Sequence, residues 1–277
     1  MIERMTKALL MLSLFSIGVL PAEDAEAITP YLDSLATVTL ADYAAQVQQI
    51  SPELKPLHDQ LSDREAAVRM QAVQGLALAG GDEAALLLAR AMSQTLEREP
   101  AVRMEAAKSL GELGGRRALE VLGIGLTDSE IGVRKQAIRE LRWAGTVFAV
   151  PYIGISVQSD PSDAVRLEAV RMLRKIGTQF SVQWLSEAMF NDASLSIRRA
   201  AADAMGEVGK KEIQAADFLG RAYDNERDSG VRLEIVSALG LVRNKAGLQH
   251  LERAMLDNDP AVRVRATQVY GRVLGLQ

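Results

Sequence analysis

Cysteine is absent from the 277-residue chain, and aromatic side chains make up only 4% of it. Without thiols the chain has no disulfide, no thiolate nucleophile and no cysteine-ligated metal. The two histidines, His58 and His250, lie far apart in the sequence, so a zinc site would need carboxylates to complete it. No phosphate-binding glycine loop and no G-x-S-x-G phrase is present. We therefore predict no catalytic residue, no metal and no cofactor, and expect that the chain is not an enzyme.

The chain also has no large excess of charge of one sign. It contains 32 basic and 36 acidic residues, and its formal net charge is −4. Nucleic-acid binding needs a surplus of lysine and arginine on one face. We therefore expect a protein partner and no nucleic acid. The 48% of hydrophobic residues are mostly small or unbranched, which suits closely packed helices.

Residues 1–27 have the pattern of a secretory signal peptide. Arg4 and Lys7 precede an uncharged run from Ala8 to Leu20, whose 13 residues are too few to cross a bilayer comfortably. An Ala-Glu-Ala phrase at residues 25–27 then offers a cleavage site. We predict an exported protein, periplasmic or secreted, with no stable membrane span after cleavage. The alternatives are an uncleaved anchor or a buried first helix.

Residues 28–61 are predicted to form an N-terminal arm and a pair of capping helices. The stretch 28–38 has no clear period, whereas apolar residues recur at helical spacing over 40–50. Ser51 and Pro52 are typical of the first positions of a helix, which would run to Leu61.

Residues 62–277 carry an internal repeat, marked by valine or isoleucine followed by arginine. Successive marker arginines are separated by 34, 31, 32, 32, 34 and 31 residues. The seven arginines are Arg69, Arg103, Arg134, Arg166, Arg198, Arg232 and Arg263. A period of this length is typical of a solenoid built from stacked helix pairs.

Each repeat divides into two predicted helices. In the first, a small residue three positions after the arginine and a large one seven positions after it share one face. A glycine eleven positions after the arginine ends this helix in most repeats, and Arg243 and Leu274 replace it in the last two. Acidic turns at Asp128, Asp160, Asp192, Asp228, Asp257 and Asp259 lead into the next first helix. We predict an all-α fold, a right-handed α-α superhelix of about seven helix pairs.

The phrase V-R-x-x-A-x-x-x-L-G-x-x-G, with an acidic turn before it and a leucine-rich helix after it, resembles the short HEAT-like repeat of the phycobilisome-lyase type. The resemblance implies that the seven marker arginines pair with acidic turns of adjoining repeats and form a structural ladder. It also implies different helix ends at Arg243 and Leu274, where the closing glycine is missing. HEAT-repeat hydroxylases bind iron through His-Glu dipeptides, and this sequence has none.

One column of residues is a candidate binding site. The residue just before the first core position of each second helix is Leu87, Val121, Tyr152, Trp184, Phe218 or His250. Aromatic side chains in a row are good anchors for a protein partner, so Tyr152, Trp184, Phe218 and His250 are predicted partner-binding residues. The alternative is that the column fills the core between the two helices of each repeat.

These patterns favour a non-enzymatic protein-binding scaffold or adaptor in the cell envelope. Its partner, whose identity the sequence does not give, would bind the concave surface formed by the second helices. The alternative is an accessory or maturation factor for a secreted or membrane enzyme, and a lyase-type catalytic role ranks below both.

Overall fold

The structure, a computed structural model, describes residues 40–46, 49–144, 146–212 and 214–275. The predicted signal peptide (1–27) and the arm before residue 40 lie outside the described residues. Every regular element within the described part is an α-helix. The helices are α1 (Leu40–Ala45), α2 (Lys55–Gln60), α3 (Ala66–Ala79), α4 (Gly81–Met92), α5 (Pro100–Leu113), α6 (Gly115–Gly125), α7 (Ile131–Ala144), α8 (Thr146–Ser159), α9 (Asp163–Ile176), α10 (Gln179–Asn191), α11 (Leu195–Val208), α12 (Ala215–Asn225), α13 (Ser229–Val242), α14 (Lys245–Ala254) and α15 (Pro260–Leu274).

The chain forms two compact units that divide between Tyr152 and Ile153, within α8. In unit 1 the first helices α3, α5 and α7 pack side by side, and the second helices α4 and α6 pack against them and each other. In unit 2 the first helices α9, α11, α13 and α15 and the second helices α10, α12 and α14 repeat this arrangement. The predicted all-α solenoid of helix pairs is confirmed, and the handedness of the superhelix stays a prediction.

The repeat phrase forms the core in the way its spacing predicts. The small or branched residue three positions after each marker arginine is fully buried, and so is the first core leucine or isoleucine of each second helix. Examples are Ala106 and Leu122 in unit 1 and Ala201 and Leu185 in unit 2, all at 0% exposure. Burying one such leucine contributes about 1.5–3 kcal/mol, so successive helix pairs stabilise one another.

Five of the seven marker arginines form two-pronged ion pairs with a carboxylate in the turn before the next first helix. The pairs are Arg69 with Glu97, Arg103 with Asp128, Arg166 with Asp192, Arg198 with Glu226 and Arg232 with Asp257, with Nε to oxygen distances of 2.6 to 2.9 Å. The same guanidinium reaches back through Nη1 to a carbonyl of the turn before its own helix. Each arginine therefore joins two consecutive inter-repeat turns, which is the ladder that the resemblance implies.

The ladder differs from the prediction in its acidic members. In two of the turns the ladder carboxylate is a glutamate, Glu97 or Glu226, neither of which was predicted. Asp228 instead caps α13 through the backbone N–H of Val231, and Asp259 caps α15 through that of Ala261. Each ladder carboxylate, whether aspartate or glutamate, lies six positions before the marker arginine of the next repeat.

Arg134 and Arg263 make the same contacts with backbone carbonyls. Nη1 of Arg134 donates to the Asp128 carbonyl at 2.8 Å, and Nη1 of Arg263 donates to the Asp257 carbonyl at 2.7 Å. Among the described residues, no carboxylate forms an ion pair with Arg263. The effect of substituting Arg263 on the free energy of unfolding therefore measures the backbone hydrogen bonds without an ion pair.

The end of α13 at Arg243 resembles one of the four described closing glycines and differs from the other three. Arg243 has φ 52° and ψ 40°, close to the φ 62° and ψ 37° of Gly177. Gly80 and Gly114 have ψ −179° and −165°, and Gly209 is right-handed with φ −64°. The end of α13 is therefore left-handed like that of α9, although a side chain makes this conformation costly. After Leu274 the left-handed residue is Gly275, one position later. Gly145 lies outside the described residues.

The two N-terminal helices are shorter than predicted and pack against different parts of unit 1. Helix α1 ends at Ala45 rather than near residue 50, and α2 begins at Lys55 rather than at Pro52, the predicted first helical position. Only α2 packs against the first helix α3, as a cap would, whereas α1 lies against the second helices α4 and α6. The backbone N–H of Ser51 donates to Glu83 Oε1 of α4 at 2.8 Å and fixes the segment between them.

Candidate partner-binding surface

The predicted aromatic column packs between consecutive second helices. A Cβ placed on Gly123 of α6 would lie 2.2 Å from Tyr152 Cε1, and one on Gly154 of α8 would lie 2.1 Å from Trp184 Cδ2. A Cβ on Gly220 of α12 would overlap the ring of His250 in the same way. A glycine two positions after one column residue thus makes room for the ring of the next repeat.

Burial separates the four predicted site residues into two pairs. Tyr152 is 2% exposed and Trp184 is 5% exposed, so their rings offer almost no surface to a partner. For these two the structure favours the core-filling alternative, with the difference that the space filled lies between second helices. Phe218 and His250 are half-buried and keep part of their surface.

Arginines flank both half-buried rings. The guanidinium carbon of Arg221 lies 4.7 Å from the centre of the Phe218 ring, within the range of a cation–π contact. Arg253 donates to His250 Nδ1 and also forms an ion pair with Asp224 at 3.0 Å.

The same surroundings keep His250 neutral. Burial lowers the pKa of His250 below its ordinary value, and the neighbouring Arg253 guanidinium lowers it further against the opposing pull of Asp224 and Asp217. At neutral pH the ring therefore acts as an uncharged hydrogen-bonding group.

The helical register then defines a face on unit 2. Positions one before, three after and six after the column residue lie on one side of each second helix, away from the first helices. We call this set the unit 2 second-helix face, and it consists of Gln183, Glu187, Phe190, Asp217, Arg221, Asp224, Gln249 and Arg253, together with Leu256 in the turn just after α14. All of these side chains are exposed or half-buried. Phe190 (36% exposed) and Leu256 (83%) are the apolar members.

This face was not predicted from the sequence, where only the aromatic column was a candidate binding site. Phe190 and Leu256 follow the column residues Trp184 and His250 by six positions. The helical period extends the column to these positions. The positions one before, three after and six after a column residue are separated from each other by three, four or seven residues, so they share a side of the helix.

The equivalent face of unit 1 is different. At the same register positions α4 carries Leu86 and Arg90, and α6 carries Glu120 and Ile124. Three of these are half-buried, and Glu120 is 9% exposed. Helix α1 lies against both α4 and α6.

The described residues contain no group of three or more histidine, aspartate or glutamate side chains placed to hold a metal ion. They also contain no helix with the length and apolar character needed to cross a membrane.

Comparison with known families matches HEAT repeats over residues 54–142, 150–239 and 182–271. Among solved structures, human deoxyhypusine hydroxylase is 20% identical, with a TM-score of 0.41 and coverage of 98% of this chain and 97% of that one. The complex of CpcE and CpcF of phycocyanin lyase from Nostoc sp. PCC7120 is 18% identical, with a TM-score of 0.43 and coverage of 82% and 96%. An engineered protein is 19% identical, with a TM-score of 0.43 and coverage of 96% and 77%. No curated protein sequence matches the chain.

Proposed function

Because the chain belongs to the HEAT-repeat family, we propose that it is a non-enzymatic protein-binding scaffold or adaptor of the cell envelope. Stacked helix pairs present extended surfaces for binding, and each repeat contacts only its neighbours. The signal-peptide pattern of residues 1–27 supports export to the periplasm or the exterior. The partner binds the unit 2 second-helix face.

The observation that carries this proposal is the open, mixed composition of that face. Phe190 and Leu256 present apolar surface on either side of the exposed charges of Arg221, Asp224 and Arg253. Interfaces draw most of their energy from aromatic and arginine residues surrounded by polar groups. Half-exposed Phe218, with Arg221 over its ring, supplies such an anchor at the middle helix α12.

The charges of this face also indicate what kind of partner it fits. Acidic Asp217 and Asp224 alternate with basic Arg221 and Arg253, so the face does not attract a polyanion or a polycation. A polypeptide segment that carries both signs and one apolar side chain complements it. Neutral His250 adds a hydrogen-bonding group at the edge of the same surface.

Affinity capture with the full-length mature protein tests the proposal. The immobilised protein is expected to retain a stoichiometric partner from an envelope extract of its source organism. Arg221→Glu should weaken capture at least about tenfold, because it reverses a charge on the proposed interface and removes the guanidinium that lies over the Phe218 ring. Arg272→Glu is the matched control, since it makes the same charge change on exposed surface of the first helix α15.

Two results would overturn the proposal. The first is capture that Arg221→Glu and Arg272→Glu leave equally strong. The second is a purified protein that carries a metal ion or a chromophore in stoichiometric amount. A captured enzyme whose activity depends on this chain would make the scaffold an accessory factor for that enzyme.

A further inference from the structure

The turns that join the first helix to the second helix of each pair lie along one edge of unit 2. Helices α9, α11 and α13 pack side by side, and so do α10, α12 and α14. Each first helix therefore ends, and each second helix begins, at the same edge. We call this the intra-repeat edge of unit 2, and it consists of residues 174–179, 207–212 and 242–246.

This edge carries an excess of positive charge. Two of its basic side chains are paired, Lys210 with Glu207 at 2.7 Å and Arg174 with Asp203 at 2.6 Å. Glu212, the other acidic residue of the edge, is half-buried. Four exposed basic residues form no ion pair with any carboxylate of the described residues, and we call them the unpaired cations: Lys175, Lys211, Arg243 and Lys245.

The backbone at Arg243 favours glycine, yet the residue there is a cation. Its φ of 52° lies in the left-handed region, where a side chain is costly. The left-handed residue at the end of α9 is Gly177. Asn244, the next residue after Arg243, caps α14 through the backbone N–H of Gly247 and fixes this turn. Arginine at this position therefore adds charge to the edge although it strains the backbone.

The opposite edge of unit 2 has the opposite charge. Its turns, residues 160–162, 192–194, 226–228 and 255–259, contain six carboxylates and one basic residue, Arg227. These carboxylates pair with the ladder arginines or cap the first helices. Unit 2 is therefore polarised, with unpaired cations at one edge and carboxylates at the other.

The corresponding turns of the first two helix pairs in unit 1 differ. The turn between α3 and α4 carries Asp82 and Glu83 and no basic residue. After the turn between α5 and α6, Arg116 and Arg117 both form ion pairs with Glu120, at 3.0 and 3.3 Å. The unpaired cations of unit 2 are therefore not a product of the repeat phrase.

We propose that the intra-repeat edge of unit 2 docks on a membrane surface that carries anionic phospholipid headgroups. Clusters of about four to eight lysine and arginine residues bind such surfaces, and each cation adds to the attraction. The proposal rests on the proposed function only in that export brings the chain to a membrane. Docking by this edge holds the scaffold with its carboxylate-rich turns away from the lipid.

The spacing and the kind of cation favour lipid over other anionic partners. Turns of consecutive helix pairs lie roughly 10 Å apart, so the row of three spans roughly 20 Å and matches an extended surface rather than one small anion. Three of the four unpaired cations are lysines, which are depleted in interfaces between proteins. An anionic bilayer surface therefore fits this edge better than an acidic protein does.

Co-sedimentation of the full-length mature protein with lipid vesicles tests the proposal. Phosphatidylcholine vesicles that contain about 30% phosphatidylglycerol are expected to bind the protein, and vesicles of phosphatidylcholine alone are not. Added salt should release the protein, because it screens the attraction. The variant Lys175→Gln/Lys211→Gln/Lys245→Gln should bind the anionic vesicles at least about tenfold more weakly.

The matched control is Arg171→Gln/Arg227→Gln/Arg265→Gln, which removes three positive charges from exposed residues of unit 2 outside the edge. It should bind the anionic vesicles as tightly as the unchanged protein. Arg243→Gly is a second test variant. It removes one unpaired cation and places glycine where the left-handed backbone favours it, so vesicle binding should weaken while the temperature of thermal unfolding does not fall.

Binding to anionic vesicles that the lysine variant and Arg243→Gly weaken, and that the control variant keeps, supports the docking. Equal binding to both kinds of vesicle, no binding, or equal losses in the lysine variant and the control would overturn it. Binding of polyglutamate but not of anionic vesicles would also overturn it and would identify an acidic polypeptide as the occupant. Since the vesicles contain no protein, these results are independent of partner capture, which Arg221→Glu tests.

Discussion

The second helices of the two units share one repeat phrase but present different faces. In unit 1 the face contains Leu86 and Ile124, and α1 lies over α4 and α6. In unit 2 the corresponding positions are charged or amide-bearing and no described helix covers them, and only the flanking Phe190 and Leu256 are apolar. The difference lies wholly in residues outside the repeat phrase.

The comparison shows which residues of a solenoid are free to differ between repeats and therefore to determine binding. The marker arginine, the small residue and the large residue recur because every repeat needs the same core and the same ladder. The side of the second helix that faces away from this core has no such requirement, so its residues vary between units and set what each unit binds. The four predictions below test the comparison, from the largest expected effect to the smallest.

The ladder should be more costly to break in unit 1 than in unit 2. The side chains of Arg103 and Asp128 are 4% and 2% exposed, whereas those of Arg232 and Asp257 are 15% and 5% exposed. Arg103→Ala leaves a buried carboxylate unpaired and should lower the free energy of unfolding by about 3–5 kcal/mol. Arg232→Ala should cost less, and Arg263→Ala, which breaks no ion pair among the described residues, least. Urea unfolding of the three variants checks this order, and equal losses would contradict it.

Trp184→Ala should destabilise unit 2 without weakening capture of the partner. The ring is buried against Gly154, so its removal leaves a cavity that costs about 3 kcal/mol or more. Phe218→Ala should cost less stability, because the ring is half-exposed, and should weaken capture more. Thermal unfolding and affinity capture of both variants measure the two effects. A loss of capture in Trp184→Ala at unchanged stability would contradict the placement of this ring in the core.

Glycines opposite the column rings should tolerate a methyl group to different extents. In Gly154→Ala the new Cβ meets the buried Trp184 ring, and overpacking of this kind costs about 1–3 kcal/mol. In Gly220→Ala the new Cβ meets His250, which is half-exposed and can turn toward solvent, so the loss should be smaller. Denaturant midpoints of the two variants give the comparison. A larger loss in Gly220→Ala would show that His250 is held as firmly as Trp184.

His250 should give the smallest effect, which depends on pH. Its pKa is lowered in the folded protein, so the unfolded chain binds a proton first as pH falls. The free energy of unfolding is therefore highest above the ordinary histidine pKa. It declines as the pH falls from that value toward the lower pKa that His250 has in the folded protein. The decline should stay below about 1 kcal/mol, because the ring is partly exposed and screened. His250→Gln should remove it between pH 7.5 and 5.5 in urea unfolding, and an unchanged pH slope would contradict this assignment.

The sequence predicted what the repeat phrase controls. Ala106, Leu122, Ala201 and Leu185 are buried as their spacing requires, because every helix pair solves the same packing problem. The ion pairs of the marker arginines followed from the family resemblance, although Glu97 and Glu226 were not among the predicted acidic residues. The repeat spacing and chemistry together were enough for the fold.

The candidate site was less predictable. Aromatic residues that recur at one position of several repeats give the same sequence pattern whether their side chains are buried between helices or exposed to a partner. Gly123 and Gly154 decide the matter for Tyr152 and Trp184, because each glycine leaves room for a ring. The position of α1 could not be predicted either, since a helix of six residues has no periodicity that says against which surface it docks.

Hydrogen–deuterium exchange of the full-length mature protein, free and bound to its captured partner, tests the central claim most directly. The account predicts that the partner slows exchange in α10, α12 and α14, at the residues around Phe190, Arg221 and Arg253. It predicts little change in the first helices α9, α11 and α13 of the same unit. Protection confined to those first helices, with α10, α12 and α14 unchanged, would contradict it.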